Sequence, residues 1–224
     1  MSGKTYNGEK AIISLTSWKA RIGTVSKTIF SLLKQCPGFH IVLVLSEEEF
    51  PKKEEELPEN LMLFVNNGLI EILWVYKNYK SFKKVLFTMD KYRDVPVISA
   101  DDDCVYLKNY AETLYRSYKN TRMTGVYYIS HTSGTGYGAL FSPHIFDFEK
   151  VEKYLVNEIL KTNNDDVFYV YLIKKNEFGR FYLSLDENDF VRFHDSVEPL
   201  YDVIKKNGEN EKAHKICKKI ILQS

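Results

Sequence analysis

An excess of either charge is what this sequence most plainly lacks: 31 Lys and Arg face 30 Asp and Glu over 224 residues, a net charge of +1. A general nucleic-acid binder ordinarily carries a strong basic surplus, so that class is set aside. Cysteine is scarce, and Cys36, Cys104 and Cys217 are far apart and odd in number. Neither a disulfide framework nor a zinc-ligand spacing is visible, which fits a reducing compartment. No apolar run approaches bilayer-spanning length, and Met1 to Asn7 hold no apolar signal region, so the expected location is cytoplasmic. Internal repeats and low-complexity linkers are also missing.

What is present is a core. Hydrophobic residues make up 44% of the chain, enough for one sizeable α/β domain and short for two. The 16 Tyr and 14 Phe are read mainly as core, although aromatic rings also line carbohydrate sites. Short apolar runs at 11–15, 41–45, 70–75 and 95–100 read as strands, continuous rather than alternating, as expected of strands covered on both faces. Between them, Val25, Ile29, Leu32 and Leu33 share one helix face with Thr24 as N-cap. Ser81 is placed to cap a second helix carrying Phe82, Val85, Leu86 and Met89. Residues 47–60, charged and with two prolines, read as a loop or short helix. Strand–helix alternation of this kind implies βαβ units and a mostly parallel central sheet with flanking helices. Downstream, helices are expected around 111–118 and 165–175, with strands at 126–130 and 139–142.

Asp101-Asp102-Asp103 is the most informative motif. Three adjacent carboxylates repel one another unless solvated or bound to a cation. They directly follow the fourth strand, and open α/β sheets bind ligands beyond the carboxyl ends of their strands. If the strand stays extended, Asp101 and Asp103 point one way and Asp102 the other. A hard cation, Mn²⁺ or Mg²⁺, bridging a diphosphate would account for the cluster. The plain alternative is a solvated acidic turn that caps the following helix. An aspartate-nucleophile phosphatase also places Asp-x-Asp after a strand, but close to the chain start.

Ile12-Ile-Ser-Leu-Thr-Ser-Trp18 with Arg21 and Ser31-Leu-Leu-Lys-Gln35, then Ser81-Phe-Lys-Lys84, the triple aspartate, and Asn164-Asp-Asp-Val-Phe-Tyr-Val-Tyr-Leu-Ile-Lys-Lys175 resemble bacterial surface-polysaccharide glycosyltransferases of the GT-A fold, capsule and O-antigen type. The resemblance covers most of residues 11–175 and rests on the order and spacing of these pieces. It implies a GT-A-like domain over 1–224, with about 1–105 holding the nucleotide, 106–200 shaping the acceptor site and 201–224 a basic tail. It implies a hexosyltransferase that moves a sugar from a nucleotide-sugar donor, UDP preferred, onto a glycan or lipid-linked glycan, with inversion.

Residue by residue, the resemblance implies that Asp103 binds the metal and Asp101 the ribose or the metal's water shell, with Asp102 beside them. Thr16, Ser17 and Arg21 would sit at the base or diphosphate. Lys84 would neutralise phosphate, its other reading being a solvated helix lysine. Asp165 and Asp166 form the acidic pair in which a general base is expected. Asp166 aligns best, the two are not separable from sequence, and helix capping by Asn164 and Asp165 is the competing account. His194 lies where such enzymes bring a late histidine to the metal, its other reading being a structural histidine. His131, Gly136 and Tyr137, around the Gly-rich stretch 133–138, read as an acceptor-side loop, with an ordinary hairpin turn as the alternative; the glycine spacing matches neither a dinucleotide fingerprint nor a Walker loop.

Two features depart from the family: its aromatic-rich acceptor motif is not identifiable, and the lysine-rich segment 205–219 with Ile216, Ile220 and Ile221 stands where a longer extension is expected. That segment reads either as a solvated helix face or as a basic amphipathic helix resting on an anionic membrane. Two other classes stay open. A sugar nucleotidyltransferase shares the framework, but the loop 15–21 has no glycine. The second is a non-catalytic nucleotide- or glycan-binding domain.

Overall fold

In a computed structural model, residues 10–35, 37–131, 138–193 and 209–223 are described. Seven strands form one sheet in the order β3-β2-β1-β4-β7-β6-β8. They are β1 (Ala11–Thr16), β2 (Phe39–Ser46), β3 (Glu71–Val75), β4 (Val97–Ala100), β6 (Gly125–Tyr128), β7 (Ala139–Phe141) and β8 (Gly179–Tyr182). All pairings are parallel except the two made by β7, which runs against its neighbours β4 and β6. A separate antiparallel pair joins β5 (Cys104–Tyr106) to β9 (Val191–Phe193). The expected mostly parallel α/β sheet is thus present.

Both faces of the sheet are covered, which is why β1 and β2 read as unbroken apolar runs. Along β1, Ile12 belongs to one core, while Ala11, Ile13 and Leu15 belong to the other. The first core is closed by α3 (Lys83–Lys91), α5 (Phe148–Glu152), α6 (Asn157–Leu160) and α7 (Asp165–Lys175). The second is closed by α1 (Val25–Leu33), α2 (Glu59–Asn66) and α4 (Tyr110–Thr121). In a parallel sheet each crossover helix starts where a strand has ended. The carboxyl ends of β1 and β4 and the first turns of α3 and α7 therefore gather at one edge.

Several local expectations need correction. Thr24 occupies the N-cap position of α1, but its hydroxyl donates to the Arg21 carbonyl and caps nothing. Ser81 lies inside a 3₁₀ turn (Lys80–Phe82) ahead of α3, and its buried hydroxyl has no partner among the described residues. The strand before the aspartates starts at Val97, because Pro96 has no N–H to give a ladder; its carbonyl accepts from Ile12 instead.

The lysine-rich segment 209–222 is helical, as α8 (Glu209–Cys217) followed by a π-turn (Lys218–Leu222). Its apolar side is not free: Ala213, Cys217 and Ile221 are buried in the first core, and Ile216 and Ile220 pack against it. Lys212, Lys215, Lys218 and Lys219 are exposed; Lys205 and Lys206 lie outside the described residues. Among the described residues no helix is long and apolar enough to cross a membrane.

At the β6–β8 edge, Gly125 and Gly179 are register partners, and the Phe181 ring lies across both. A Cβ on Gly125 would sit 2.3 Å from the Gly179 carbonyl oxygen and 2.6 Å from the Phe181 ring. Backbone against backbone cannot relax cheaply. Gly125→Ala is expected to cost about 1–3 kcal/mol, read as a lower urea midpoint; an unchanged midpoint would mean that β8 is free to shift away.

Candidate active site

The site is built where β4 ends. Asp101 continues from the strand, but Asp102 and Asp103 are already in a turn, so the alternation expected of an extended chain does not hold. Asp102 and Asp103 converge instead on one guanidinium: Arg21 Nη1 lies 2.7 Å from Asp102 Oδ1 and 3.0 Å from Asp103 Oδ2. Arg21 comes from the turn after β1, its side chain 7% exposed. Ser17 Oγ donates to Asp102 Oδ2 at 2.6 Å. Thr28 of α1 donates to the Asp102 and Cys104 carbonyls at 2.9 and 2.7 Å. The Asp101 amide donates to the Tyr106 hydroxyl at 2.7 Å. Buried hydrogen bonds thus fix the turn on every side, and Asp102 is its anchor.

Asp101 takes the other direction, its carboxylate meeting Lys84 Nζ at 2.6 Å. The same amine lies 3.1 Å from Asp165 Oδ2. Residues more than sixty positions apart in the chain thereby share one cation. The two helix starts are fastened together: Tyr169 donates to the Phe82 carbonyl at 2.9 Å, and the Phe82 and Phe168 rings meet edge-on at 5.2 Å. Asn164 caps α7 by accepting from the Val167 amide at 3.0 Å. Capping and ion pairing are thus both real for this turn, and they fall on Asn164 and Asp165. Asp166 is exposed, and its field reaches both Lys84 and Tyr128.

The electrostatics follow from this packing. Burial alone would depress the Lys84 pKa, but Asp101, Asp165 and Asp166 outweigh it and hold the ammonium well above its ordinary value. Burial raises the Asp103 carboxyl, Asp101 and Asp102 push the same way, and Arg21 opposes them. Six carboxylates (Glu49, Asp101, Asp102, Asp103, Asp165, Asp166) here face three cations (Arg21, Lys83, Lys84). The excess is negative and offers hard oxygen donors, with Asp101 37% exposed. That donor chemistry fits a divalent cation. Among the described residues no group of three or more metal-capable side chains is assembled.

The remaining expected residues divide. Thr16 is at the same edge, its hydroxyl donating to the Val44 carbonyl at 2.7 Å. His131 follows β6 at this end of the sheet, exposed, with its ring stacked 4.2 Å from Tyr182. Gly136, Tyr137 and His194 lie outside the described residues.

Lys83 was missed by sequence reasoning. It is buried, with Nζ 3.5 Å from Glu49 Oε2 and 3.3 Å from Asn78 Oδ1, and burial lowers its pKa while Asp102 is among the acids that raise it. A signal was available: two lysines in the first turn of an apolar helix oppose the macrodipole, an arrangement that makes sense only beside acids.

No protein-family model and no curated protein matches the chain. Among solved structures, the crystal structure of S. aureus TarS superposes with a TM-score of 0.51 at 12% identity, over 86% of this chain and 38% of that one. This chain therefore spans little more than a third of the length of TarS. At such identity the likeness establishes the fold, a GT-A-type α/β domain.

Proposed function

We propose that this protein is a metal-dependent glycosyltransferase of bacterial surface-glycan synthesis, moving a sugar from a UDP-linked donor to a glycan hydroxyl with inversion. The observation that carries this reading is the meeting of Asp101, directly after β4, with Asp165 in the first turn of α7 through Lys84. It joins the two motifs that the resemblance assigns to donor and acceptor. The GT-A-type fold shared with TarS supports the same class.

In this reading Asp103 and Asp101 would hold Mn²⁺ or Mg²⁺, which when bound would neutralise charge on the departing nucleoside diphosphate. Arg21 and Ser17 keep the acidic turn in shape by holding Asp102, so their part is positioning and not direct phosphate contact. Asp166 accepts the proton of the acceptor hydroxyl as that oxygen bonds to the anomeric carbon. The bond to the diphosphate breaks on the opposite face, which inverts the configuration. A base has to reach its proton, and Asp166 is the exposed member of the pair.

The test is calorimetric titration with UDP, GDP and CDP, with Mn²⁺ and with EDTA. UDP is expected to bind only with metal, and Asp103→Ala to weaken it by about 100-fold or more. A folded protein that binds none of the three would sink the donor site and leave a non-catalytic module of the same fold.

A further inference from the structure

Lys84 has a geometry that neither of its sequence readings anticipates. Its side chain is only 3% exposed, so it is not a solvated helix lysine. Its amine is enclosed by Asp101 and Asp165 at 2.6 and 3.1 Å, carboxylates that would repel an approaching phosphate. The lysine is also rooted. Ser14, buried on β1, donates to the Lys84 carbonyl and bonds the Thr88 hydroxyl one turn later at 2.7 Å. That fixes α3 in register against the sheet. The amine therefore stands at a set height above the β4 end, between two loops that would otherwise repel one another.

We infer that Lys84 is a positioning residue: it sets the separation between the donor-side turn at Asp101 and the acceptor-side turn at Asp165–Asp166. The inference rests on the proposed function only for naming the two sides. Without the ammonium, carboxylates from two separate elements face each other across a buried gap, and the first turn of α7 moves away from β4. Asp166 moves with it, since it is the next residue on the same turn. A displacement of the order of 1 Å is enough to cost about 100-fold in rate without changing donor affinity.

The experiment compares wild type, Lys84→Met, which keeps the stem and removes the charge, and Lys84→Arg, which keeps the charge. Backbone hydrogen exchange is followed at 101–103 and 165–168 in metal-free protein. UDP binding with Mn²⁺ and hydrolysis of a UDP-sugar are measured alongside. Lys84→Met is expected to lose protection at 165–168, to keep it at 101–103, which Arg21, Ser17 and Thr28 hold, and to keep its UDP Kd within about threefold. Its kcat is expected to fall about 100-fold with little change in KM. Lys84→Arg should recover protection and part of kcat.

A UDP Kd weakened about tenfold or more with kcat intact would overturn the inference and make Lys84 a donor ligand. Unchanged protection at 165–168 would also overturn it. If wild type binds no nucleotide, the proposed function falls, while hydrogen exchange still decides whether Lys84 holds the two turns together. Should Lys84→Met fail to fold, the kcat and exchange of Lys84→Arg decide the same question.

Discussion

Arg21→Met is expected to lower folding stability by about 3–5 kcal/mol near neutral pH, the range for breaking one side of a buried ion pair. Arg21 is the one guanidinium on both Asp102 and Asp103, and all three side chains are largely buried. Methionine can fill much of the stem's volume but leaves two adjacent carboxylates without their cation.

The pH dependence has a definite sign. Burial and the neighbouring aspartates already hold the Asp103 carboxyl above its ordinary value, with Arg21 opposing them. Removing Arg21 raises it further. A carboxyl whose folded-state pKa exceeds its unfolded one binds its proton more tightly when folded, so stability rises as pH falls towards that value. The deficit of Arg21→Met should therefore be greatest near neutral pH and shrink as the pH falls towards the carboxylate range. Urea denaturation over that fall in pH reads it. A deficit equal at every pH would mean that Arg21 acts through packing of its stem and not through its charge.

The second large effect is catalytic. Asp166→Asn is expected to reduce sugar transfer by about 10²–10⁴-fold while metal-dependent UDP binding stays intact, since a general base supplies an effect of that size and takes no part in holding the donor. Asp165→Asn should behave differently. Asp165 is buried and paired with Lys84, so its loss disturbs the α7 turn and lowers stability, with a smaller effect on the chemical step. Measuring nucleotide affinity, urea midpoint and transfer for both variants separates the roles. If Asp165→Asn abolishes transfer and Asp166→Asn leaves it standing, the assignment is reversed.

The parts of this fold that were legible in the sequence are those whose signal is local. β1, β2 and β4 are short apolar runs because the sheet is covered on both faces, and the helix over 165–175 announces itself through Asn164 and the acids behind it. What was not legible depends on distant partners. β5 and β9 are three residues each and exist because Cys104–Tyr106 pairs with Val191–Phe193. The helix Glu59–Asn66 was missed because Leu61-Met-Leu-Phe-Val65 is a continuous apolar run with no 3.6-residue period.

The same division runs through the site. The triple aspartate and the Asp165–Asp166 pair were visible as motifs, yet their orientations were not. Extended-chain alternation separates Asp102 from Asp103, whereas Arg21, Ser17 and Thr28 draw the chain into a turn that brings both to one guanidinium. Lys84 was singled out for its charge, but the amine's partners lie directly after β4 and on α7. No spacing rule links those positions.

The packing of α8 on α7 bears on how the protein is made. Ala213, Cys217 and Ile221 fill the core beside α7, Asn210 accepts a hydrogen bond from the Asn164 amide side chain, and Lys175 donates to the Ile221 carbonyl. The helix that carries the acidic turn is thus braced at its first and last turns by residues translated some thirty-five positions or more after it. On the ribosome, where folding proceeds in the order of synthesis, β1 to β4 and the aspartate turn emerge well before that brace. The first four strands can assemble while the chain is still growing, whereas the Asp165–Asp166 turn gains its fixed support only once residues 209–222 have left the exit tunnel.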